Sequence, residues 1–115
     1  MKLLIVDDNP SVRSLIRSIV ENLAEDIHEC EDGAEAFAAY IAHRPDFVLM
    51  DIAMKVADGI TATRLIKAAD AAAMIIIVTN YDDADLREAA LDAGACGYVL
   101  KENLLELRRL LESFK

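Results

Sequence analysis

The sequence predicts an α/β fold, a doubly wound parallel sheet of five strands with five helices, from three observations. Apolar runs of strand length recur five times, and the stretches between them carry helical spacing. Strict alternation of strand and helix calls for parallel strands, because a right-handed crossover needs a path of helix length. The run Ile75-Ile76-Ile77-Val78 shows no polar alternation, as expected of a strand covered on both faces.

The strands are expected at Lys2 to Val6, Ile27 to Cys30, Phe47 to Met50, Met74 to Val78 and Cys96 to Leu100, and the helices near 10–24, 33–43, 58–69, 83–93 and 103–114. In the first helix Val12, Leu15, Ile16, Ile19, Val20 and Leu23 form one apolar stripe opposite Arg13, Arg17 and Glu21. Asn9 ahead of Pro10 is its N-cap; Asp83 caps the fourth helix and Gly94 suits that helix's C′ position.

With 115 residues the chain accommodates one acidic domain, spanning 1–115, and no second one. Its 12 Lys and Arg against 21 Asp and Glu give a formal net charge of −9, which repels phosphate backbones and anionic membranes and favours cations or basic partner faces. Aromatic residues make up 5% with no Trp, so bases have few platforms to stack on. Direct nucleic-acid or membrane binding by this segment is therefore not expected. Cys30 and Cys96 lie far apart without C-x-x-C spacing and read as small core residues. The apolar run from Met1 to Val6 is too short for a signal sequence, which points to a cytoplasmic location.

In open parallel sheets ligands bind beyond the carboxyl ends of the strands, so the residues following each strand are informative. Strand 1 ends in Asp7-Asp8, strand 3 in Asp51 and strand 4 in Thr79, and strand 5 carries Lys101. Taken singly, Asp7-Asp8 before Asn9-Pro10 reads as a helix cap, Asp51 as a cap or turn, Thr79 as a strand residue and Lys101 as a solvated lysine. Together they place three carboxylates, a hydroxyl and an ammonium on one edge. Three carboxylates a few ångströms apart repel by roughly 4 kcal/mol per pair at an effective dielectric of 20, so a cation has to offset them. Mg²⁺, or Mn²⁺, suits such a set, taking oxygen ligands and needing only one or two carboxylates beside a phosphate oxygen. Lys101 is then expected as a point charge on the far side of Asp51, and Thr79 as a hydroxyl donor to an oxyanion.

Asp7-Asp8, Asp51 about 43 residues further on, Thr79, Tyr98 and Lys101 together resemble the receiver domain of two-component response regulators. The strings L-L-I-V-D-D-N, D-F-V-L-M-D-I-A-M, D-G-I, I-I-I-V-T-N and G-A-C-G-Y-V-L-K-E carry the resemblance across essentially the whole chain. It implies the flavodoxin-like strand order 2-1-3-4-5, and Asp51 as a phosphoacceptor that takes a phosphoryl group from a sensor histidine kinase or phosphotransfer protein. It also implies that Asp8, Asp51 and the Ala53 backbone carbonyl ligate Mg²⁺, with Asp7 acting through water. Thr79, Lys101 and Asn80 would then contact the phosphoryl group. Tyr98 would turn inward on modification and alter the face of helix 4, strand 5 and helix 5. Such a protein is a switch without metabolite turnover; the same fold could also serve as a phosphorylation-independent interaction module. An Asp-nucleophile phosphohydrolase would need a D-x-D arrangement on strand 1, where this chain reads Asp7-Asp8-Asn9.

Departures from the receiver pattern carry further expectations. Met54 is followed by Lys55 in place of proline, adding a cation near the rim, and Lys101 is followed by Glu102 in place of proline, so a trans bond is expected there. Apolar Ala53 and bulky Tyr81 offer an attacking water few partners, which predicts slow loss of the phosphoryl group. G-Y-V-L-K-E without proline resembles receivers followed by LuxR-like DNA-binding output domains, which leaves open a single-domain regulator or one with an output domain beyond Lys115. A homodimer on phosphorylation is a further expectation.

Overall fold

The computed structural model describes residues 1–54 and 58–114. Five parallel strands, β1 (Lys2–Val6), β2 (Asp26–Cys30), β3 (Phe47–Met50), β4 (Ile75–Thr79) and β5 (Gly97–Leu100), form one sheet in the order β2-β1-β3-β4-β5, as expected. The helices are α1 (Pro10–Val20), α2 (Gly33–His43), α3 (Gly59–Ala69), α4 (Ala84–Asp92) and α5 (Leu104–Ser113).

Alternate strand residues feed two separate cores, because successive side chains point to opposite faces of a sheet. Leu4, Val6, Val48, Met50, Ile75, Ile77 and Tyr98 pack with Ala36, Tyr40, Ile60, Ile66 and Ala90 of α2, α3 and α4. On the other face Leu3, Ile5, Leu49, Ile76, Val78 and Val99 meet Ile16, Val20, Leu104, Leu107 and Leu111 of α1 and α5. β3 and β4 are buried at every position, which explains their unbroken apolar sequences.

The predicted boundary signals operate. Asn9 Oδ1 accepts from the N–H groups of Ser11 and Val12, and Asp83 Oδ1 from that of Leu86. Gly94 has φ 111°, a conformation costly for other residues, and ends α4 while Ala95 N–H returns to the Ala90 carbonyl. Two helix ends differ from expectation. The first helix closes in a 3₁₀ turn over Glu21–Leu23, and a second 3₁₀ turn over Lys101–Asn103 precedes α5. Lys101 therefore opens a helical turn rather than closing β5. No cis peptide bond occurs among the described residues, Lys101–Glu102 included. Lys55, expected near the rim, lies outside the described residues. Among the described residues no helix is long and apolar enough to cross a membrane.

Candidate functional site

At the carboxyl rim, β1 and β3 are adjacent and in register up to Val6 and Met50. Asp7 and Asp51 thus leave neighbouring strands at the same level, and Asp51 N–H donates to the Val6 carbonyl at 2.9 Å. Carboxylate oxygens of Asp7, Asp8 and Asp51 lie within 4.8 Å of one another. Asp7 is 1% exposed and Asp51 5%, while Asp8 is half-buried.

Lys101 Nζ sits 2.8 Å from Asp7 Oδ2 and 3.4 Å from Asp51 Oδ1. It bridges both acids and lies nearer Asp7, whereas a place on the far side of Asp51 alone was expected. The contact with Asp7 is close but poorly directed, so Oδ2, buried from solvent, lacks a hydrogen bond of good geometry. Asp7 Oδ1 accepts from Asn9 N–H at 2.9 Å, and Asp51 Oδ1 accepts from Ile52 N–H at 2.9 Å.

Burial, then the charge of Asp7, pushes the Asp51 carboxyl up to about 6 against the pull of Lys101. For Lys101 burial works against the charged form, but the close contact with Asp7 and the charges of both acids outweigh it and hold the ammonium above its ordinary value. Among the described residues, three carboxylates and one ammonium leave this pocket short of positive charge. The donors are all hard oxygens, one of them buried without a directed partner, and this set suits a divalent cation such as Mg²⁺.

Thr79, fully buried, ends β4, and its Oγ accepts from Tyr81 N–H at 3.3 Å. Tyr98 lies on the same sheet face, beside Ile77 in register. Its ring is already buried, with the hydroxyl donating to the Tyr81 carbonyl at 2.6 Å and the Arg87 guanidinium 4.6 Å from the ring centre. The expected inward turn of Tyr98 therefore meets a ring that is inward from the start. The main chain of Tyr81 links Thr79 to Tyr98, although the Tyr81 side chain itself is exposed, as are Asn80 and Ala53.

Gly59, present in the sequence only as part of the D-G-I string, proves structural for this rim. A Cβ there would run into the carbonyl of Asp51 and the Met50 side chain, and Gly59 N–H donates to the Ile52 carbonyl at 2.9 Å. The first residue of α3 thus abuts the backbone that carries Asp51. Asp58, expected inside the helix, is its N-cap, and its Oδ1 accepts from Thr61 N–H. The close approach of Gly59 has no local sequence signal.

This arrangement of fold and rim is that of a signalling receiver, and the chain belongs to the response regulator receiver domain family, which it matches over residues 3–114. It is 40% identical over 113 residues to the chemotaxis protein CheY of Bacillus subtilis, covering 97% of this chain and 92% of that protein. A two-component response regulator of the LuxR family from Aurantimonas sp. SI85-9A1 superimposes with a TM-score of 0.91 at 35% identity, over 98% of this chain and 83% of that one. A chain of the CheX-CheY-BeF3-Mg+2 complex from Borrelia burgdorferi gives a TM-score of 0.85 at 27% identity, over 100% of this chain and 90% of that one.

Proposed function

We propose that this receiver is a phosphoacceptor switch in which Asp51 takes a phosphoryl group from a histidine kinase or phosphotransfer protein. The observation carrying this reading is the charge balance at the rim: among the described residues Asp7, Asp8 and Asp51 converge with one ammonium, that of Lys101, and Asp51 is buried and shifted to about 6. Such an arrangement is costly unless a cation offsets it, and a bound cation then gives an incoming phosphoryl group positive charge to meet.

An Asp51 oxygen attacks phosphorus, the bond to the donor's histidine nitrogen breaks, and that nitrogen keeps the electron pair. Asp7, Asp8, Asp51 and the carbonyl of Ala53 are the groups that would hold Mg²⁺, which when bound supplies positive charge to the phosphoryl oxygens. Lys101 stands beside Asp51 to pair with one of those oxygens, and the Thr79 hydroxyl, with Asn80 next to it, would donate to another. Drawing Thr79 toward the phosphoryl group pulls on its contact with Tyr81 N–H, and Tyr81 in turn holds the Tyr98 hydroxyl. The modification thereby reaches the α4–β5 face and any output domain, effector or second copy bound there. The chain turns over no metabolite in this reading.

Incubation with acetyl phosphate and Mg²⁺ tests it by intact mass. The parent gains one phosphoryl group, while Asp51→Asn and the parent in chelator do not; a gain that survives Asp51→Asn contradicts the assignment. The exposed Ala53 and Tyr81 side chains offer an attacking water few partners, and we expect the phosphoryl group to persist longer on the parent than on an Ala53→Asn, Tyr81→Glu variant.

A further inference from the structure

Arg13 is the one basic residue near the start of α1, where the helix dipole disfavours a cation, and its side chain is only 14% exposed. Its Nη1 donates to the carbonyl of Asp7 at 2.7 Å, and its Nε to Glu29 Oε1 at 3.0 Å. Glu29 belongs to β2, the edge strand, in register with Ile5. Its second oxygen accepts from Arg17 Nε at 2.9 Å, and Arg17 also donates to the carbonyl of Ile27. Two guanidinium groups of α1 thus bracket one carboxylate of β2, and one of them reaches past it to the main chain of the acidic rim.

The carbonyl that Arg13 holds belongs to the peptide joining Asp7 to Asp8. A peptide unit is planar, so fixing that oxygen fixes the direction in which the chain enters Asp8. The Asp7 N–H is anchored separately, on the Cys30 carbonyl of β2 at 3.2 Å. We propose that Arg13, oriented by Glu29, is a positioning residue that sets the spacing of the Asp7 and Asp8 carboxylates against Asp51 and so tunes the cation affinity of the rim. This rests on the cation-binding reading above. The role is geometric: the Glu29 carboxylate, shared with Arg17, orients the guanidinium of Arg13, and only a planar fork serves an oxygen on each side at once.

The test is titration of the folded protein with Mg²⁺ by calorimetry, paired with thermal melts in chelator. Arg13→Met is expected to weaken Mg²⁺ binding about tenfold, the usual scale for groups that orient ligands. Arg13→Lys keeps the charge but loses the fork and is expected to weaken it similarly. Arg17→Met serves as the control for structural loss, expected to lower the melting temperature comparably yet leave Mg²⁺ affinity within about twofold of the parent. In phosphorylation by acetyl phosphate, the Mg²⁺ concentration for half-maximal rate rises with Arg13→Met while the rate at saturating Mg²⁺ stays close to the parent's. Equal Mg²⁺ affinity in Arg13→Met and parent overturns the positioning role, as does an Arg13→Lys variant that binds like the parent. A parent that binds no Mg²⁺ overturns the cation-binding reading itself, and the positioning role with it.

Discussion

At the rim where the strands begin, acidic side chains have donors of their own, whereas at the rim where they end three carboxylates share one ammonium among the described residues. Glu25 pairs with the N-terminal ammonium, Asp46 accepts from Lys2 N–H at 2.7 Å, and Asp70 accepts from the Tyr40 hydroxyl at 2.7 Å and Ala72 N–H at 3.0 Å. These hydrogen bonds hold the carboxyls of Glu25 and Asp70 below their ordinary values. The opposite rim drives Asp51 up to about 6 through burial and the neighbouring charge of Asp7. The contrast shows that acidity by itself does not mark a site. What distinguishes the carboxyl rim is that its acids are buried together and left with a deficit of positive charge.

The sharpest way to break the contrast is to deepen that deficit. Lys101→Met removes the ammonium that bridges Asp7 and Asp51 and should cost about 3–5 kcal/mol in chelator, the usual penalty for leaving a buried charge unpaired. Urea unfolding reads this, and added Mg²⁺ should recover part of the loss.

The pH dependence follows next. Because the folded state holds the Asp51 proton up to about 6 and an unfolded chain releases it near 3.8, folding stability falls as pH rises through that window and then levels off. About two pH units at roughly 1.4 kcal/mol each amount to about 3 kcal/mol. Relative to Asp51→Asn, the parent should therefore lose stability between pH 4 and pH 6 and run parallel to it above. A constant gap between the two melting curves would show that Asp51 titrates normally.

Mg²⁺ at 100 times its dissociation constant should stabilise the parent by about 2.7 kcal/mol. Asp8→Ala should lose that gain and melt higher than the parent in chelator, since like charges have been thinned. A lower melt in chelator would instead mark Asp8 as a structural residue. Gly59→Ala, which forces a methyl group against the Asp51 carbonyl, should cost about 1–3 kcal/mol by denaturant unfolding. At the opposite rim, Glu25→Gln should leave the melting temperature unchanged, because an exposed pair contributes little.

The order of strands and helices was legible because each carries its own period, and the caps Asn9, Asp83 and Gly94 because each satisfies a backbone group that the helix leaves open. The convergence of Asp7, Asp8 and Asp51 followed from topology alone: parallel strands deliver whatever comes after them to one edge. Besides the close approach of Gly59, three features escaped. The 3₁₀ turns at Glu21–Leu23 and Lys101–Asn103 share the apolar spacing of the helices they adjoin, so periodicity merges them or assigns Lys101 to the strand. The contact of Tyr98 with Tyr81 is made to a backbone carbonyl, which every residue has and no sequence pattern advertises. The bracket of Glu29 by Arg13 and Arg17 joins residues that looked like the solvated face of α1, since helical spacing separates polar from apolar positions but does not show what lies beyond the polar ones.

Reductive trapping shows where the phosphoryl group goes. Borohydride converts an acyl phosphate on aspartate to homoserine, and peptide mapping locates the changed residue after treatment with acetyl phosphate and Mg²⁺. The account predicts homoserine at position 51 and none at 7 or 8. Trapping at another residue, or no trapped product from protein shown to bind Mg²⁺, would contradict it.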